Sequence, residues 1–91
     1  MIKTADIKKL NEHYGADMSV VMCIEELSEL TKALTKCLRY GETASTFEHL
    51  VEELADATIC LALLQDIFSV KDEVLDNEIT VKMNRNMRRV L

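Results

Sequence analysis

The sequence predicts an all-α protein, and three features support this class. Hydrophobic residues make up 48% of the 91 residues. Proline and tryptophan are absent and only two glycines occur, which leaves little material for the tight turns that join β-strands. Apolar residues recur at helical spacing through four segments separated by Gly, Ser or Thr. We therefore expect a single domain over residues 1–91 with one modest core.

A glycine separates the first two predicted helices. The first covers residues 4–14, and Gly15 is expected to end it because glycine adopts left-handed conformations at little cost. The second is expected to begin near Asp17 or Ser19, either of which could cap it, and to end at Gly41. Its main apolar stripe consists of Val20, Ile24, Leu27, Leu30, Leu34 and Leu38.

The third predicted helix is the most apolar. Ser45 and Glu48 have the spacing of a capping box, so the helix is expected to begin there and to continue to about Phe68. Residues 57–67 are apolar nearly all round, as expected for a helix buried on several sides.

The fourth predicted helix covers residues 70–91, with Ser69 as a candidate cap. Its predicted inner face consists of Val74, Leu75, Ile79, Met83, Met87 and Val90. A small chain with long amphipathic helices has more apolar surface than it can cover alone. We therefore expect a homo-oligomer, either a dimer or a tetramer.

Charge and composition exclude several classes of partner. The net charge of −5 argues against nucleic acid, because the basic footprint that binds phosphate backbones is missing. Cys23, Cys37 and Cys60 form no C-x-x-C pair, so we expect reduced, buried thiols rather than a disulfide framework. The apolar run 57–64 is too short to span a bilayer and residues 1–6 lack the apolar segment of a signal peptide. A cytoplasmic protein without a membrane partner is expected.

Two pairs of carboxylates share the same spacing. Glu26 and Glu29 lie three residues apart in the second helix, as do Glu53 and Asp56 in the third, so each pair points from neighbouring turns of one face. Both pairs border apolar residues, and a carboxylate buried there without a partner would lose several kcal/mol of hydration. Carboxylate pairs on two antiparallel helices suit a hard cation such as Mg²⁺.

Solvent exposure is the alternative explanation for these acids. Glutamate pairs on helices are commonly solvated, and the chain would then be a non-catalytic helical interaction module. The repeated spacing beside two apolar stripes favours the metal site. Glu25 and Glu52 precede the inner pairs and could orient ligands or water, although surface positions explain them equally well.

The C-terminal segment is basic. No acid follows Glu78, and the residues after it include Lys82, Asn84, Arg85, Asn86, Arg88 and Arg89. Cations near a helix C-terminus complement the helix dipole, which is one explanation. The other is that they hold a polyphosphate which an acidic metal site would otherwise repel.

Three motifs together resemble a known family. Residues 25–29 resemble an E-E-x-x-E motif, residues 53–56 an E-x-x-D motif, and residues 82–89 a C-terminal K-M-x-x-N-x-x-R motif. Their order over residues 17–91 resembles the all-α nucleoside triphosphate pyrophosphatases, which include the MazG-type proteins and the dimeric dUTPases. The resemblance implies a four-helix, MazG-like bundle completed by oligomerisation.

The resemblance also implies an activity and its residues. The expected reaction is Mg²⁺-dependent hydrolysis of a nucleoside triphosphate between its α and β phosphates, with Mn²⁺ as a substitute. The implied metal ligands are Glu26, Glu29, Glu53 and Asp56, with Glu26 or Glu29 as the general base. The implied contacts to phosphate or sugar are Lys82, Asn86 and Arg89, and Lys32 and Lys36 could also reach phosphate. Glu25 would be a supporting residue beside the ligands.

Two questions about the substrate stay open at this point. His13 and Tyr14 are the only candidates for a base-stacking contact in the N-terminal segment, so the preferred nucleotide is not predicted. The phosphoribosyl-ATP pyrophosphatases of histidine biosynthesis share the implied bundle and are an alternative. The K-M-x-x-N-x-x-R ending favours a nucleoside triphosphate substrate.

Overall fold

Four α-helices and no strand make up the fold in a computed structural model that describes residues 1–91. The predicted all-α class is therefore confirmed. The helices are α1 (Thr4–Tyr14), α2 (Ala16–Tyr40), α3 (Ala44–Ile67) and α4 (Asp72–Val90).

Glycines set both ends of α2. Gly15 has φ 83°, and its N–H donates to Asn11 O at 2.8 Å, so the chain turns and begins α2 at once. Gly41, with φ 80°, closes α2 in the same way. Because α2 begins at Ala16, neither Asp17 nor Ser19 caps it, and that part of the prediction is wrong. Ser19 lies inside the helix and is buried.

Threonines cap α3. The Thr46 N–H donates to Thr43 Oγ1 at 3.1 Å, and the Thr43 N–H donates to Thr46 Oγ1 at 2.8 Å. This reciprocal pair is a capping box, and it lies two residues before the predicted one at Ser45 and Glu48. The predicted box is wrong because the threonines offer the same spacing closer to Gly41.

The helices α2 and α3 form an antiparallel hairpin. Cys23 Sγ lies 3.6 Å from Cys60 O near one end, and Cys37 Sγ lies 3.9 Å from Thr46 O near the loop. These two contacts set the register of the pair. Small residues on α2, namely Ser19, Cys23 and Ala33, are buried at the interface and allow the two helices to approach closely.

The short helix α1 packs against the open end of the hairpin. Ile7 joins Cys23, Cys60 and Leu63 in the small core. Asn11 Nδ2 donates to Leu63 O at 3.1 Å and to Asp66 Oδ2 at 2.9 Å. Lys8 Nζ binds the other oxygen of Asp66 at 2.9 Å. These polar contacts fix α1 on α3.

The fourth helix stands apart from the others. It packs against none of α1, α2 and α3, and none of its residues is buried. Gln65 Nε2 donates to Val70 O at 3.1 Å and to Asp72 Oδ1 at 2.6 Å, which holds the corner between α3 and α4. Lys71 precedes the helix and Ser69 does not cap it, so the predicted cap is wrong. No helix has the length and apolarity needed to cross a membrane.

The apolar stripe predicted for α2 is only partly covered, because Val20, Leu27 and Leu30 are half-buried and the other three members are exposed. Ile24 is 60% exposed, Leu34 47% and Leu38 90%. The predicted inner face of α4 is exposed as well, from Val74 to Val90. One chain therefore leaves two long apolar surfaces open to solvent.

Candidate metal centre

An acidic cluster lies between α2 and α3. Glu26 comes from α2, whereas Glu53 and Asp56 come from α3, and each offers an oxygen within 4.8 Å of the others. The register of the hairpin explains the convergence. Cys23 lies opposite Cys60, and Glu26 and Asp56 each lie about one turn from those cysteines, towards the loop.

Glu53 is the buried member of the cluster. Its side chain belongs to the inner face of α3, and the residue is only 9% exposed. Its Oε2 atom is buried and has no hydrogen-bond partner. A buried carboxylate oxygen without a partner is destabilising, and a cation held by the cluster would supply that partner.

Glu26 and Asp56 open the cluster to solvent. Glu26 is half-buried and Asp56 is exposed, so an ion or a small solute can approach from their side.

Burial raises the pKa of Glu26, and the adjacent Asp56 raises it further by its charge and by hydrogen bonding to the protonated form. The charges of Glu53 and Glu29 add smaller effects in the same direction. A bound cation would oppose each of these charge effects.

The donor set matches a hard divalent cation. Carboxylate oxygens are the protein ligands that Mg²⁺ and Mn²⁺ prefer. Cys60 is the nearest softer donor along α3, but burial, followed by its contact with the Cys23 thiol, raises the pKa of the Cys60 thiol to about 12. That thiol stays protonated at neutral pH in the metal-free chain, and the donors grouped within 4.8 Å of one another are all carboxylate oxygens.

The structure brings together three of the four predicted ligands. Glu29 lies one turn after Glu26, but its Oε1 atom binds Lys32 Nζ at 3.2 Å and the side chain is about half exposed. Its predicted role as a ligand or base stays a prediction. Glu25 is exposed on α2 outside the cluster, and its supporting role also stays a prediction.

The predicted phosphate contacts lie away from the cluster. Lys82, Asn86 and Arg89 are exposed on α4, which packs against neither α2 nor α3. Lys82 Nζ lies 3.8 Å from Glu78 Oε1 on the same helix. One copy of the chain therefore does not place these side chains beside the carboxylates.

Lys36 is better placed than the residues of α4. It lines a cavity of about 230 Å³ on the hairpin, and the other lining residues are Ala33, Ser45, Thr46 and His49. His49 lies one turn before Glu53 on α3, so the cavity and the acidic cluster follow one another along the same groove. Sequence reasoning did not assign His49, although its spacing of four residues from Glu53 was a usable signal.

No protein-family model, curated protein or solved structure matches the chain. The side chains that bear on a function are three clustered carboxylates, with one buried and unpartnered oxygen among them, and a lysine that lines a separate cavity nearer the α2–α3 loop.

Proposed function

We propose that the protein is a Mg²⁺-dependent nucleoside triphosphate pyrophosphohydrolase, which cleaves a (d)NTP to the monophosphate and pyrophosphate. The observation that carries the proposal is the convergence of Glu26, Glu53 and Asp56 from two helices around a buried, unpartnered oxygen. The order of the E-E-x-x-E, E-x-x-D and K-M-x-x-N-x-x-R motifs supports the substrate class.

The residues of the cluster have separate roles in this proposal. Glu26, Glu53 and Asp56 would hold the ion, and Glu29 would be a fourth ligand if its carboxylate turned away from Lys32. When bound, the ion supplies charge neutralisation and a lowered pKa of a bound water. Glu26 and Glu29 are the two residues available to accept the proton of the attacking water.

The triphosphate requires cations that the cluster lacks. Lys36 lines a cavity together with His49, which lies one turn before Glu53, and Lys36 is assigned to the phosphates. Lys82, Asn86 and Arg89 complete the set, but α4 does not reach the cluster of its own chain. We therefore place them on α4 of a neighbouring copy in a homodimer or homotetramer. In this arrangement the active site contains residues from two chains.

The experiment is an assay of pyrophosphate release from the common NTPs and dNTPs with Mg²⁺. Glu53→Gln keeps the shape of the side chain and removes its charge, and should lower activity by at least roughly 100-fold. Glu52→Gln is the matched control because Glu52 is the adjacent residue and its side chain is 74% exposed. The control should retain wild-type activity.

Phosphoribosyl-ATP is included in the same assay. Cleavage of that substrate alone would assign the same carboxylate chemistry to a different nucleotide. Absence of pyrophosphate release from every nucleotide, by protein that is folded and supplied with Mg²⁺ or Mn²⁺, would contradict the proposed function.

A further inference from the structure

The cavity beside Lys36 has a lining that suits an anion. Its polar lining residues are Lys36, Ser45, Thr46 and His49, and no acid is among them. The larger cavity of the chain, beside α1, is lined by acids and lysines together. The volume of the Lys36 cavity is about 230 Å³, below the roughly 300–1000 Å³ of sites that enclose a drug-sized ligand. The cavity therefore has the charge and the size for an inorganic oxyanion rather than for a whole nucleotide.

The register of the hairpin forms this cavity. Cys37 Sγ lies 3.9 Å from Thr46 O, which places the last turns of α2 against the first turns of α3. Ala33 is buried one turn before Cys37, and its small methyl group leaves space between Lys36 and His49. Side chains lean towards the N-terminus of their own helix, so Lys36 leans away from the loop and His49 leans towards it. The two basic side chains therefore converge on the cavity from opposite directions.

Both basic side chains are free to bind a ligand. Lys36 makes no ion pair within the chain, whereas Lys32, one turn earlier on α2, binds Glu29. His49 Nδ1 lies 4.0 Å from Glu52 Oε2, which is beyond hydrogen-bonding distance, and the Glu52 side chain is 74% exposed. Neither side chain of the cavity is therefore held by an acid of its own chain.

Ser45 supplies a free hydroxyl at the same cavity. The neighbouring Thr46 hydroxyl is engaged, because it donates to Gly41 O at 3.0 Å and accepts from the Thr43 N–H at 2.8 Å. The hydrogen bonds of the α3 cap do not involve Ser45 Oγ. A hydroxyl, an ammonium group and an imidazole N–H are donors that suit the oxygens of a phosphate group.

The cavity lies on the loop side of the acidic cluster. His49 precedes Glu53 by four residues, which is about 6 Å along the axis of α3. In the proposed reaction two phosphates leave together as pyrophosphate, and the carboxylates of the cluster would repel them. A cavity without acids, one helical turn away, is suited to receive them.

We propose that this cavity is the subsite for the pyrophosphate leaving group, and that His49 and Ser45 bind pyrophosphate there together with Lys36. The role of the cavity in hydrolysis rests on the proposed function. Its affinity for free pyrophosphate does not, because that binding requires neither the metal nor catalysis.

Isothermal titration calorimetry of the full chain with inorganic pyrophosphate, in the presence of EDTA, tests the cavity without the metal. The wild type should bind with a Kd of roughly 1 mM or lower. His49→Gln and Lys36→Gln should each weaken binding by at least about 10-fold, and Ser45→Ala by about 3-fold. Arg39→Gln is the matched control, because it also removes a positive charge from the end of α2 but Arg39 does not line the cavity. Its effect should stay below about 2-fold.

Three results would overturn the subsite. One is a wild type that binds no pyrophosphate up to roughly 10 mM. Another is unchanged affinity in His49→Gln. The third is equal weakening by Arg39→Gln and His49→Gln, because that result would assign binding to the general positive charge of this surface. None of the substituted side chains is buried, so each variant should keep the helical circular dichroism of the wild type.

The nucleotide assay separates this proposal from the proposed function. For a nucleotide that is hydrolysed, His49→Gln should raise KM and the inhibition constant of pyrophosphate by a similar factor and leave kcat within about 3-fold. Hydrolysis with unchanged pyrophosphate inhibition in His49→Gln would contradict the subsite alone. Pyrophosphate binding that is weakened only in the cavity variants, without hydrolysis of any nucleotide, would contradict the proposed function alone and leave the cavity as a pyrophosphate site.

Discussion

Glu26 on α2 and Asp56 on α3 offer carboxylate oxygens within 4.8 Å of one another, and Glu53 lies within the same distance of both. Negative charges this close repel one another, and the buried oxygen of Glu53 has no hydrogen-bond partner. The cluster is therefore a source of strain in the metal-free chain, and binding of a divalent cation would remove that strain.

The first prediction concerns metal-dependent stability. Mg²⁺ or Mn²⁺ should raise the melting temperature, because an ion that binds only the folded chain stabilises it by about 2.7 kcal/mol at 100 times its dissociation constant. Glu53→Gln should abolish the increase, whereas Glu52→Gln should preserve it. Differential scanning fluorimetry with and without chelator measures both. An equal increase in Glu53→Gln and wild type would place the ion elsewhere.

The second prediction concerns pH in the absence of metal. The pKa of Glu26 is raised above its ordinary value of 4.5, so the folded state binds the proton more tightly than the unfolded state. Protonation of Glu26 therefore contributes to the free energy of unfolding. This stabilisation is fully present below the ordinary pKa of the carboxyl group and is lost as the pH rises through its raised pKa. Glu26→Gln cannot ionise and should be more stable than the wild type at neutral pH.

Urea denaturation between pH 4 and pH 8 measures this difference. The gap between Glu26→Gln and wild type should close towards the acidic end of the range. Saturating Mg²⁺ should reverse the order at neutral pH, because the ion stabilises only the ionised wild type. A gap that is independent of pH would contradict the assigned cause.

The sequence was sufficient to predict the helices and most of the acidic cluster. Gly15 and Gly41 mark helix ends by their backbone freedom, and both have positive φ. The short loop between α2 and α3 leaves one antiparallel register, which brings Glu26 to the level of Glu53 and Asp56. The positions of the carboxylates along α2 and α3 were therefore sufficient to predict that Glu26 meets Glu53 and Asp56.

Side-chain choices and packing faces were harder to predict. Glu29 has the spacing of a ligand, but it also has Lys32 within reach, and only the structure shows that it binds the lysine. The helix α2 has two faces that could meet α3, and the smaller residues Cys23 and Ala33 occupy the buried one. Hydrophobicity favoured the larger residues such as Leu34, which remain exposed when one chain is considered alone.

The third prediction concerns the sharing of sites between chains. Arg89→Ala, on α4, should lower pyrophosphohydrolase activity at least about 10-fold by removing a phosphate contact. Mixed oligomers of Arg89→Ala and Glu53→Gln should recover about a quarter of wild-type activity, because half the dimers contain one site with both residues intact. A mixture of Glu26→Gln and Glu53→Gln is the control and should stay inactive, since both residues lie in one cluster.

Co-expression of the two variants provides the statistical mixture, and isolation of the mixed dimers with two affinity tags should raise the activity to about half of the wild-type value. An inactive mixture of Arg89→Ala with Glu53→Gln would mean that α4 serves the cluster of its own chain, and full activity of Arg89→Ala by itself would mean that Arg89 does not contact the substrate. Either result would remove the shared site from the proposal and leave the carboxylate cluster unaffected.

The fourth prediction concerns thiol reactivity. Cys23 and Cys60 are buried, and burial is the main reason that the pKa of the Cys60 thiol is raised to about 12. Only Cys37 is partly exposed, so iodoacetamide should modify it first in the native protein. Mass spectrometry of digested samples gives the order, and all three should react in guanidinium. Early modification of Cys60 would mean that α2 and α3 separate readily where Cys60 packs against Cys23.

The fifth prediction concerns Ser19, whose hydroxyl is enclosed in the core between helices. The residue is 1% exposed, and its Oγ atom has no hydrogen-bond partner. Ser19→Ala removes the unpaired hydroxyl and should raise the free energy of unfolding by about 1 kcal/mol. Ser28→Ala is the control because Ser28 is exposed and its Oγ donates to Ile24 O at 2.9 Å. Its effect should stay within about 0.5 kcal/mol. Urea denaturation distinguishes the two variants, and destabilisation by Ser19→Ala would show that the hydroxyl is hydrogen-bonded in the assembled protein.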